Sequence, residues 1–237
     1  MTEEGRSQGI WKLPPRDGGP TLRVAYLFSG ISRKASIASE LKTLCTQSGT
    51  GLNVEEIDIY NGGSSMDLLD STIQSQLEAR IKDAQFDVVI ISPPCSTWSR
   101  ANCKPPPGGR PDPRFPKPCR SKQYPWGFPN DLPAGRRRAE QGNAFIHFAL
   151  RSIAAAINAR KSATIRILLE HPEDLGRAHG GKDPASIWQL RELRSLVADH
   201  PEYVSVVGHQ CQFGVDYAKP TRLLSDIPGI EAFGYVG

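Results

Sequence analysis

Cys95 is the residue of this chain whose type and position most directly offer chemistry. It lies in the run Ser-Pro-Pro-Cys-Ser at residues 92–96, directly after an apolar run at 86–91 that predicts a buried strand. The two prolines end that strand and stiffen the loop that follows. A thiol on a rigid loop at the carboxyl end of a central strand lies where open α/β sheets bind ligands. Cys95 is therefore a candidate nucleophile, and packing as a small apolar residue is the alternative.

Two further strand ends carry groups that could act beside a thiol. Glu170 follows the apolar run at 165–169, and Lys219 and Arg222 follow a strand predicted at 203–212. The carboxyl ends of parallel strands meet at one edge of a sheet, so we expect a thiol, an acid and a cation around one crevice. Each signal is weak alone, because such side chains also serve as helix caps or surface charges.

The elements that would position these groups alternate between strands and helices. The pattern predicts, in chain order, strand 22–27, a helix to about residue 44, strand 52–60, a helix from about 68 or 70 to 82, strand 86–91, helix 136–157, strand 165–169, helix 186–199, strand 203–212 and a loop at 213–222. This rhythm predicts an α/β fold with a doubly wound, mostly parallel sheet.

The domain organisation is simple apart from one insert. Residues 1–20 are predicted to be a flexible leader, and 21–237 a single catalytic domain. The insert at about 102–138 contains ten of the chain's twenty prolines and four aromatic residues between 102 and 133, which favours an ordered excursion above the sheet. Between Arg100 and Glu140, ten Lys and Arg residues accompany three acids. Such a cluster predicts a phosphate-backbone partner, with a solvated loop as the alternative.

Composition excludes several classes of protein. Hydrophobic residues make up 38% and charged residues 23% of the 237 residues, as in ordinary globular domains. No apolar run approaches the roughly 20 residues that span a bilayer, and the first residues lack the apolar core of a signal peptide. The five cysteines include no Cys-x-x-Cys pair, so neither a disulfide framework nor a zinc site is indicated. We therefore expect no metal, no membrane partner and an intracellular location. Our further expectations are a monomer and, within cells, the cytoplasm of a prokaryote or phage host, or a nucleus.

Several motifs in sequence resemble those of the DNA cytosine-5 methyltransferase family. The matching segments, in that family's usual order, are 27–31 (Leu-Phe-Ser-Gly-Ile, like its cofactor loop), 54–58 (Val-Glu-Glu-Ile-Asp, like its second-strand acid motif), 66–68 (Met-Asp-Leu, like its next cofactor contact), 92–99 (like its Pro-Pro-Cys nucleophile motif), 168–172 (Leu-Leu-Glu-His-Pro, like its Glu-Asn motif) and 212–222 (like its last motif, in a variant similar to phage-like and mobile-element members).

The resemblance implies a Rossmann-like, S-adenosylmethionine-dependent methyltransferase that acts on carbon 5 of cytosine in DNA. By this resemblance Cys95 adds to carbon 6 of the ring, Glu170 holds ring nitrogen N3 and the exocyclic amine, and Arg222 binds the ring carbonyl. The target base must leave the duplex stack to reach the thiol. The residues that the resemblance assigns to S-adenosylmethionine are Phe28, Ser29, Gly30, Ile31, Glu56, Asp58, Asp67, Leu68, Pro94 and Asn143.

Some assignments within these motifs stay open. Counting the last motif without a gap places Lys219 and Thr221 at the family's arginine positions, whereas one inserted residue places Arg222 there. We favour Arg222, because a guanidinium can form two parallel hydrogen bonds. Glu56 and Asp58 compete for the ribose hydroxyls. Trp98, in a loop expected to be mobile, either fills the space that the base leaves or anchors the loop.

The length of the chain raises alternatives about function. Members of the family usually carry a target-recognition region after the last motif, whereas this sequence stops at Gly237. We expect either a truncated relic or recognition by the insert at 102–138, and we favour the insert. A catalytically inactive nucleic-acid-binding module is one alternative function. A transfer-RNA cytosine-5 methyltransferase is another, since RNA is not excluded as a partner.

Overall fold

The described part of the chain forms one sheet of six strands flanked by helices. The structure is a computed structural model that describes residues 20–103, 117–159, 164–178, 181–213 and 216–234. The predicted leader, apart from residue 20, and residues 104–116 of the predicted insert lie outside the described residues. Within the described part, no helix is both long and apolar enough to cross a bilayer.

Strands and helices alternate through most of the chain. The strands are β1 (Thr21–Leu27), β2 (Gly51–Ile57), β3 (Val88–Ile91), β4 (Arg166–Pro172), β5 (Val204–His209) and β6 (Pro220–Ser225). The helices are α1 (Ile37–Gln47), α2 (Ile59–Gly62), α3 (Ser71–Lys82), α4 (Pro133–Ala159) and α5 (Arg191–Asp199).

The strand order is β2-β1-β3-β4-β6-β5, and five strands run in one direction. β6 runs the other way and lies between β4 and β5, antiparallel to both. The prediction of a mixed α/β fold with a mostly parallel sheet is therefore confirmed, but the prediction of a loop through residue 222 is wrong. Pro220 is tolerated because it is the first residue of its strand. A proline at the start of a short run argues against a strand, which is why the sequence did not predict β6.

Element boundaries differ from the predicted ones where a side chain ends or starts an element. β2 ends at Ile57 instead of residue 60 because Asp58 caps α2, accepting a hydrogen bond from the N–H of Tyr60. α4 begins at Pro133, a favoured first residue of a helix, instead of residue 136. The helix predicted at 186–199 is broken, because Leu190 is extended between a short 3₁₀ turn and α5.

One face of the sheet carries the core on which the site rests. Alternate residues of the central strands point to this face and are fully buried with side chains of α3 and α4. The strand residues that share this face are Ala25, Leu27, Val89, Ile91, Ile167 and Leu169. The helices that cover them are thereby fixed against the strands, and the loops at the carboxyl ends of the strands start from a rigid base.

Candidate active site

A cavity opens at the carboxyl ends of the strands, where the strand order changes direction. β2 lies on one side of β1 and β3 lies on the other side, so the chain first builds the sheet in one direction and then in the opposite direction. Open α/β sheets bind ligands at such a switch point. We call it the rim cavity, and its volume is about 370 Å³. Its lining residues are Phe28, Asp58, Ile59, Tyr60, Asp67, Leu68, Pro94, Ser96, Gln141 and Phe145.

Phe28 supplies an apolar wall of the rim cavity from a strained backbone. Its φ is 60°, in the left-handed region that few residues other than glycine adopt. Its N–H donates to the Ile57 carbonyl at 2.9 Å. Its ring packs edge-on against Phe145 and Phe148, with centroids 5.4 and 6.1 Å away. These contacts hold the ring in place at the end of β1.

Of the two acids that competed for the ribose, only Asp58 lines the rim cavity. Its carboxylate accepts from the N–H groups of Gly30 at 3.0 Å and Tyr60 at 3.1 Å, which joins the loop after β1 to the loop after β2. Glu56 accepts from the Ser32 hydroxyl at 3.1 Å and lines a separate groove of about 540 Å³ between α1 and β2. The geometry therefore favours Asp58 as the acid that faces a ligand.

Three more of the predicted cofactor residues lie beside the rim cavity instead of in it. Ser29, Gly30 and Ile31 line a neighbouring cavity of about 260 Å³. The Asn61 side-chain amide donates to the Gly30 carbonyl at 2.9 Å and keeps this loop next to β2. Of the predicted set, Phe28, Asp58, Asp67, Leu68 and Pro94 are the ones that the structure brings together around one cavity.

The structure does not bring Asn143 to the rim cavity. Its side-chain oxygen accepts from Arg120 at 2.8 Å, and its side-chain nitrogen donates to the Trp126 carbonyl at 2.7 Å. Gln141 and Phe145 line the cavity from the same helix instead. Residues four apart lie on one helix face, so the 3.6-residue period could have placed this pair at the site.

The thiol of Cys95 lies half-buried beside an acid and a cation. The Glu170 carboxylate accepts a hydrogen bond from the Lys219 ammonium at 3.2 Å. Burial raises the pKa of the Cys95 thiol, while the positive charge of Lys219 acts against this rise and the negative charge of Glu170 adds to it. The structure thus brings a thiol, a carboxylate and an ammonium together, although Lys219 directly precedes the antiparallel strand β6 instead of following a parallel strand.

The cation in this cluster is Lys219, and the preference for Arg222 is not supported by the geometry. Paired residues of neighbouring strands point to the same face, and Glu170 pairs with Leu223 whereas Arg222 pairs with His171. Arg222 therefore points to the opposite face of the sheet from Glu170. There its guanidinium makes two 2.6 Å hydrogen bonds to the Glu173 carboxylate.

Tyr26 is a neighbour of the thiol cluster that the sequence analysis did not identify. It lies on β1, its hydroxyl hydrogen-bonds the Ser92 side chain, and burial raises its pKa, with the charges of Glu170 and Glu56 adding to the rise. The alternation of side chains along β1 places it on the face opposite the core residues Ala25 and Leu27. That alternation is the signal that could have pointed to it.

The loop after Cys95 is anchored at Trp98. The indole is buried, with 2% of its surface exposed, and stands edge-on to the ring of Trp126. Of the two roles considered for Trp98, the geometry favours the anchor. The Arg100 guanidinium donates to the Leu175 carbonyl at 3.3 Å, which joins the same loop to the segment after β4.

Comparison with known proteins gives little beyond the geometry. No protein-family model matches the chain, and no curated protein matches it. Among solved structures, the S. pombe Dnmt2 methyltransferase is similar with a TM-score of 0.42 and 14% sequence identity, over 88% of this chain and 52% of that one. The likeness is distant, and the chain spans about half the length of that protein.

Proposed function

We propose that this protein transfers a methyl group from S-adenosylmethionine to carbon 5 of cytosine in DNA, with Cys95 as the nucleophile. The observation that carries the proposal is the cluster of Cys95, Glu170 and Lys219 at the same sheet edge as the rim cavity. The motif resemblance of the sequence supports the same reaction. A thiol, an acid and a cation are the three groups that such a reaction on a pyrimidine requires.

The rim cavity fits the adenosine part of S-adenosylmethionine. Its volume of about 370 Å³ lies within the range of small-molecule sites. Phe28, Leu68 and Pro94 would face the flat adenine base, while Asp58 and Asp67 offer carboxylate oxygens for the ribose hydroxyls and the adenine amine. When bound, S-adenosylmethionine supplies a methyl group that is bonded to a positively charged sulfur and is therefore open to attack by a carbon nucleophile.

The chain's own residues would make carbon 5 reactive. The Cys95 thiol gives up its proton, and its sulfur bonds to carbon 6 of the ring, which moves an electron pair toward N3 and makes carbon 5 nucleophilic. The Glu170 carboxylate takes up the proton that the thiol releases and passes it to N3, so that the proton lost by the thiol is regained by the ring. Lys219 would donate a hydrogen bond to the ring carbonyl. After carbon 5 has taken the methyl group, its proton is lost to water and the bond from carbon 6 to sulfur breaks. The N3 proton then returns through Glu170 to the sulfur, which restores the Cys95 thiol.

Lys219 has a second effect in this scheme. Burial is the main cause of the raised pKa of the Cys95 thiol, and the negative charge of Glu170 adds to this rise and further disfavours the thiolate. The ammonium of Lys219, 3.2 Å from Glu170, offsets that negative charge. When the base takes up the hydrogen bonds of Glu170, the positive charge of Lys219 is left to stabilise the thiolate.

The exposed cations of the insert and of the start of α4 would bind the nucleic-acid backbone. Lys117, Lys122, Arg136 and Arg137 are exposed, and Tyr124 presents a ring that is 41% exposed. Cations contact phosphates and an exposed ring stacks on bases, so this surface suits a nucleic-acid strand. This assignment keeps the insert as the recognition element.

A covalent trap tests the reaction. DNA that contains 5-fluorocytosine, incubated with the protein and labelled S-adenosylmethionine, should give a labelled adduct that survives denaturation, because fluorine cannot leave as the carbon 5 proton does. Cys95→Ala should abolish the adduct, and Cys211→Ala, which removes an exposed thiol elsewhere, should preserve it. The same trap with RNA tests the transfer-RNA alternative. Nucleic-acid binding without any adduct would support the inactive module instead.

The choice between the two cations is tested by matched variants. Lys219→Gln should lower kcat/KM for methyl transfer by about 100-fold, the effect of losing one preorganised donor at a reacting carbonyl. Arg222→Gln should leave it within about threefold, because Arg222 faces Glu173 on the other side of the sheet. The reverse order of effects would restore Arg222 as the base-binding residue.

A further inference from the structure

Arg120 is a buried cation whose hydrogen-bond partners in the described residues include no carboxylate. Only 2% of its surface is exposed. Burial lowers its pKa to about 10, which leaves the guanidinium charged at neutral pH. A buried charge of this kind is retained only where its geometry is needed or its hydrogen bonds are satisfied.

The guanidinium joins three segments that are distant in sequence. One terminal nitrogen donates to the Pro125 carbonyl at 2.6 Å and to the Asn143 side-chain oxygen at 2.8 Å. The other donates to the Thr97 hydroxyl at 3.0 Å and to the Ala139 carbonyl at 2.9 Å. Arg120 thereby connects the insert, α4 and the loop after Cys95.

The Arg120 guanidinium also packs against the loop after Cys95, on the face of the Trp98 ring. Its central carbon lies 3.9 Å from the centre of the Trp98 ring. Trp98 stands edge-on to Trp126, which stacks on His147 of α4 with centroids 4.5 Å apart. A flat cation above an indole is a favourable arrangement that a lysine reproduces poorly.

These contacts reach the turn that carries the nucleophile. The backbone N–H of Trp98 donates to the Cys95 carbonyl at 3.0 Å, so residues 95–98 form one turn. Thr97 and Trp98, the two residues that Arg120 holds, are therefore the second and third residues after the thiol. Fixing them fixes the direction in which the Cys95 side chain points.

We propose that Arg120 is a positioning residue that holds the Cys95 turn against α4 in its reactive orientation. This inference rests on the proposed function for its kinetic consequence, although the clamp itself can be tested without any reaction. The part of the insert around Arg120 then has a role beyond recognition. It fixes the position of Cys95 through Thr97 and Trp98, which follow Cys95 in the sequence.

The test uses Thr97→Val, which removes one acceptor of Arg120 at nearly constant shape, and Arg120→Lys, which keeps the charge and loses the planar fork. Both are made in a Cys211→Ser background, in which Cys95 is the least buried of the remaining thiols. We expect iodoacetamide to alkylate Cys95 at least about threefold faster in both variants, because a released turn exposes the thiol more often. For methyl transfer, kcat should fall by about 10- to 100-fold while KM for S-adenosylmethionine changes by less than about twofold.

Thr43→Val is the matched control, since the Thr43 hydroxyl donates only to a carbonyl of its own helix, α1. Thr43→Val should change neither the alkylation rate of Cys95 nor kcat for methyl transfer. Unchanged alkylation of Cys95 in both Thr97→Val and Arg120→Lys would overturn the proposal. If the unmodified protein transfers no methyl group, the proposed function fails, and the alkylation rates still decide whether Arg120 positions the thiol.

Discussion

At the scale of single residues, the site depends on how charge is balanced in a half-buried pocket. Glu170 and Lys219 form an ion pair at 3.2 Å next to the Cys95 thiol. Neither partner alone would suit the pocket, because an unpaired carboxylate would raise the pKa of the thiol further and an unpaired ammonium would lack a counterion. In the ion pair, each of the two groups has its counterion within hydrogen-bond distance.

The burial of His171, which follows Glu170 in the sequence, predicts how the free energy of unfolding depends on pH. The His171 side chain is fully buried, and burial, together with the positive charge of Lys219, lowers its pKa from 6.5 to about 3. Between these two values the unfolded chain binds a proton at His171 that the native state does not. The free energy of unfolding should therefore fall as the pH drops below about 6.5, by up to roughly 1.4 kcal/mol per pH unit and a few kcal/mol in total.

Urea unfolding at pH 7 and pH 4.5 checks this prediction. His171→Leu should lose much of the difference between the two pH values, because it removes the group that titrates on unfolding. His200→Gln, at a partly exposed histidine, should keep the difference. An equal pH dependence in His171→Leu and the unmodified protein would show that other groups govern the acid response.

The sequence indicates Cys95 and Glu170 as candidates, but the cation that it favours, Arg222, is not the one that the structure places beside Glu170. The first two follow apolar runs that are recognisable as buried strands. The choice of cation depends on which of two adjacent residues shares a face with Glu170. That is a property of strand register, and a shift of one residue reverses the answer. The strand concerned, β6, was not predicted.

At the scale of elements, α4 approaches the nucleophile loop at a point where only glycine fits. A Cβ on Gly142 would lie 2.5 Å from the Thr97 hydroxyl and 2.9 Å from a terminal nitrogen of Arg120. Both atoms are buried and hydrogen-bonded to each other, so neither moves without loss. The glycine thus allows the helix and the loop to share the Arg120 contact.

Gly142→Ala should therefore destabilise the protein despite the higher helix propensity of alanine. Overpacking costs roughly 1–3 kcal/mol, and the gain from replacing a helical glycine is at most about 1 kcal/mol. We expect a net loss of about 1–2 kcal/mol in urea unfolding. Gly135→Ala is the comparison in the same helix: the three atoms nearest to its Cβ all belong to the terminal carboxyl group of Asp131, which can turn aside, so its loss should be smaller than that of Gly142→Ala.

The elements themselves were predictable in type where a regular period is present. The central strands and α4 follow clear patterns, and Pro133 could have indicated the true start of α4. The contacts of the insert were not predictable, because its prolines remove periodicity and its partners lie on α4 and on the loop after β3. Arg120 counts as one more exposed cation in the sequence, yet tertiary contacts bury it.

At the scale of the whole molecule, the distribution of charge matters more than the net charge of +4. Arg136 and Arg137 are exposed at the start of α4, whereas Arg138 donates to the Lys117 carbonyl at 3.0 Å and supports the insert. The first two are thus the residues of this triplet that are available to a partner.

Replacing Arg136 and Arg137 with alanine should weaken DNA binding and reduce its salt dependence. Each phosphate contact contributes about 0.9 to the slope of log K against log salt concentration, so the slope should fall by roughly 2. Fluorescence anisotropy at several salt concentrations measures it. Arg191→Ala with Arg194→Ala removes the same charge from α5 and should leave the slope unchanged. Equal effects of the two double variants would mean that only net charge matters.

The reversed strand β6 has a consequence for how the protein is made. β5 pairs with β6 within the described sheet, and β6 must insert beside β4, which was synthesised about fifty residues earlier. A nascent chain on the ribosome therefore has an open sheet edge until Ser225 has emerged. Because Lys219 immediately precedes that strand, Glu170 gains its counterion when β6 pairs with β4, and no shorter nascent chain has an assembled cluster of Cys95, Glu170 and Lys219.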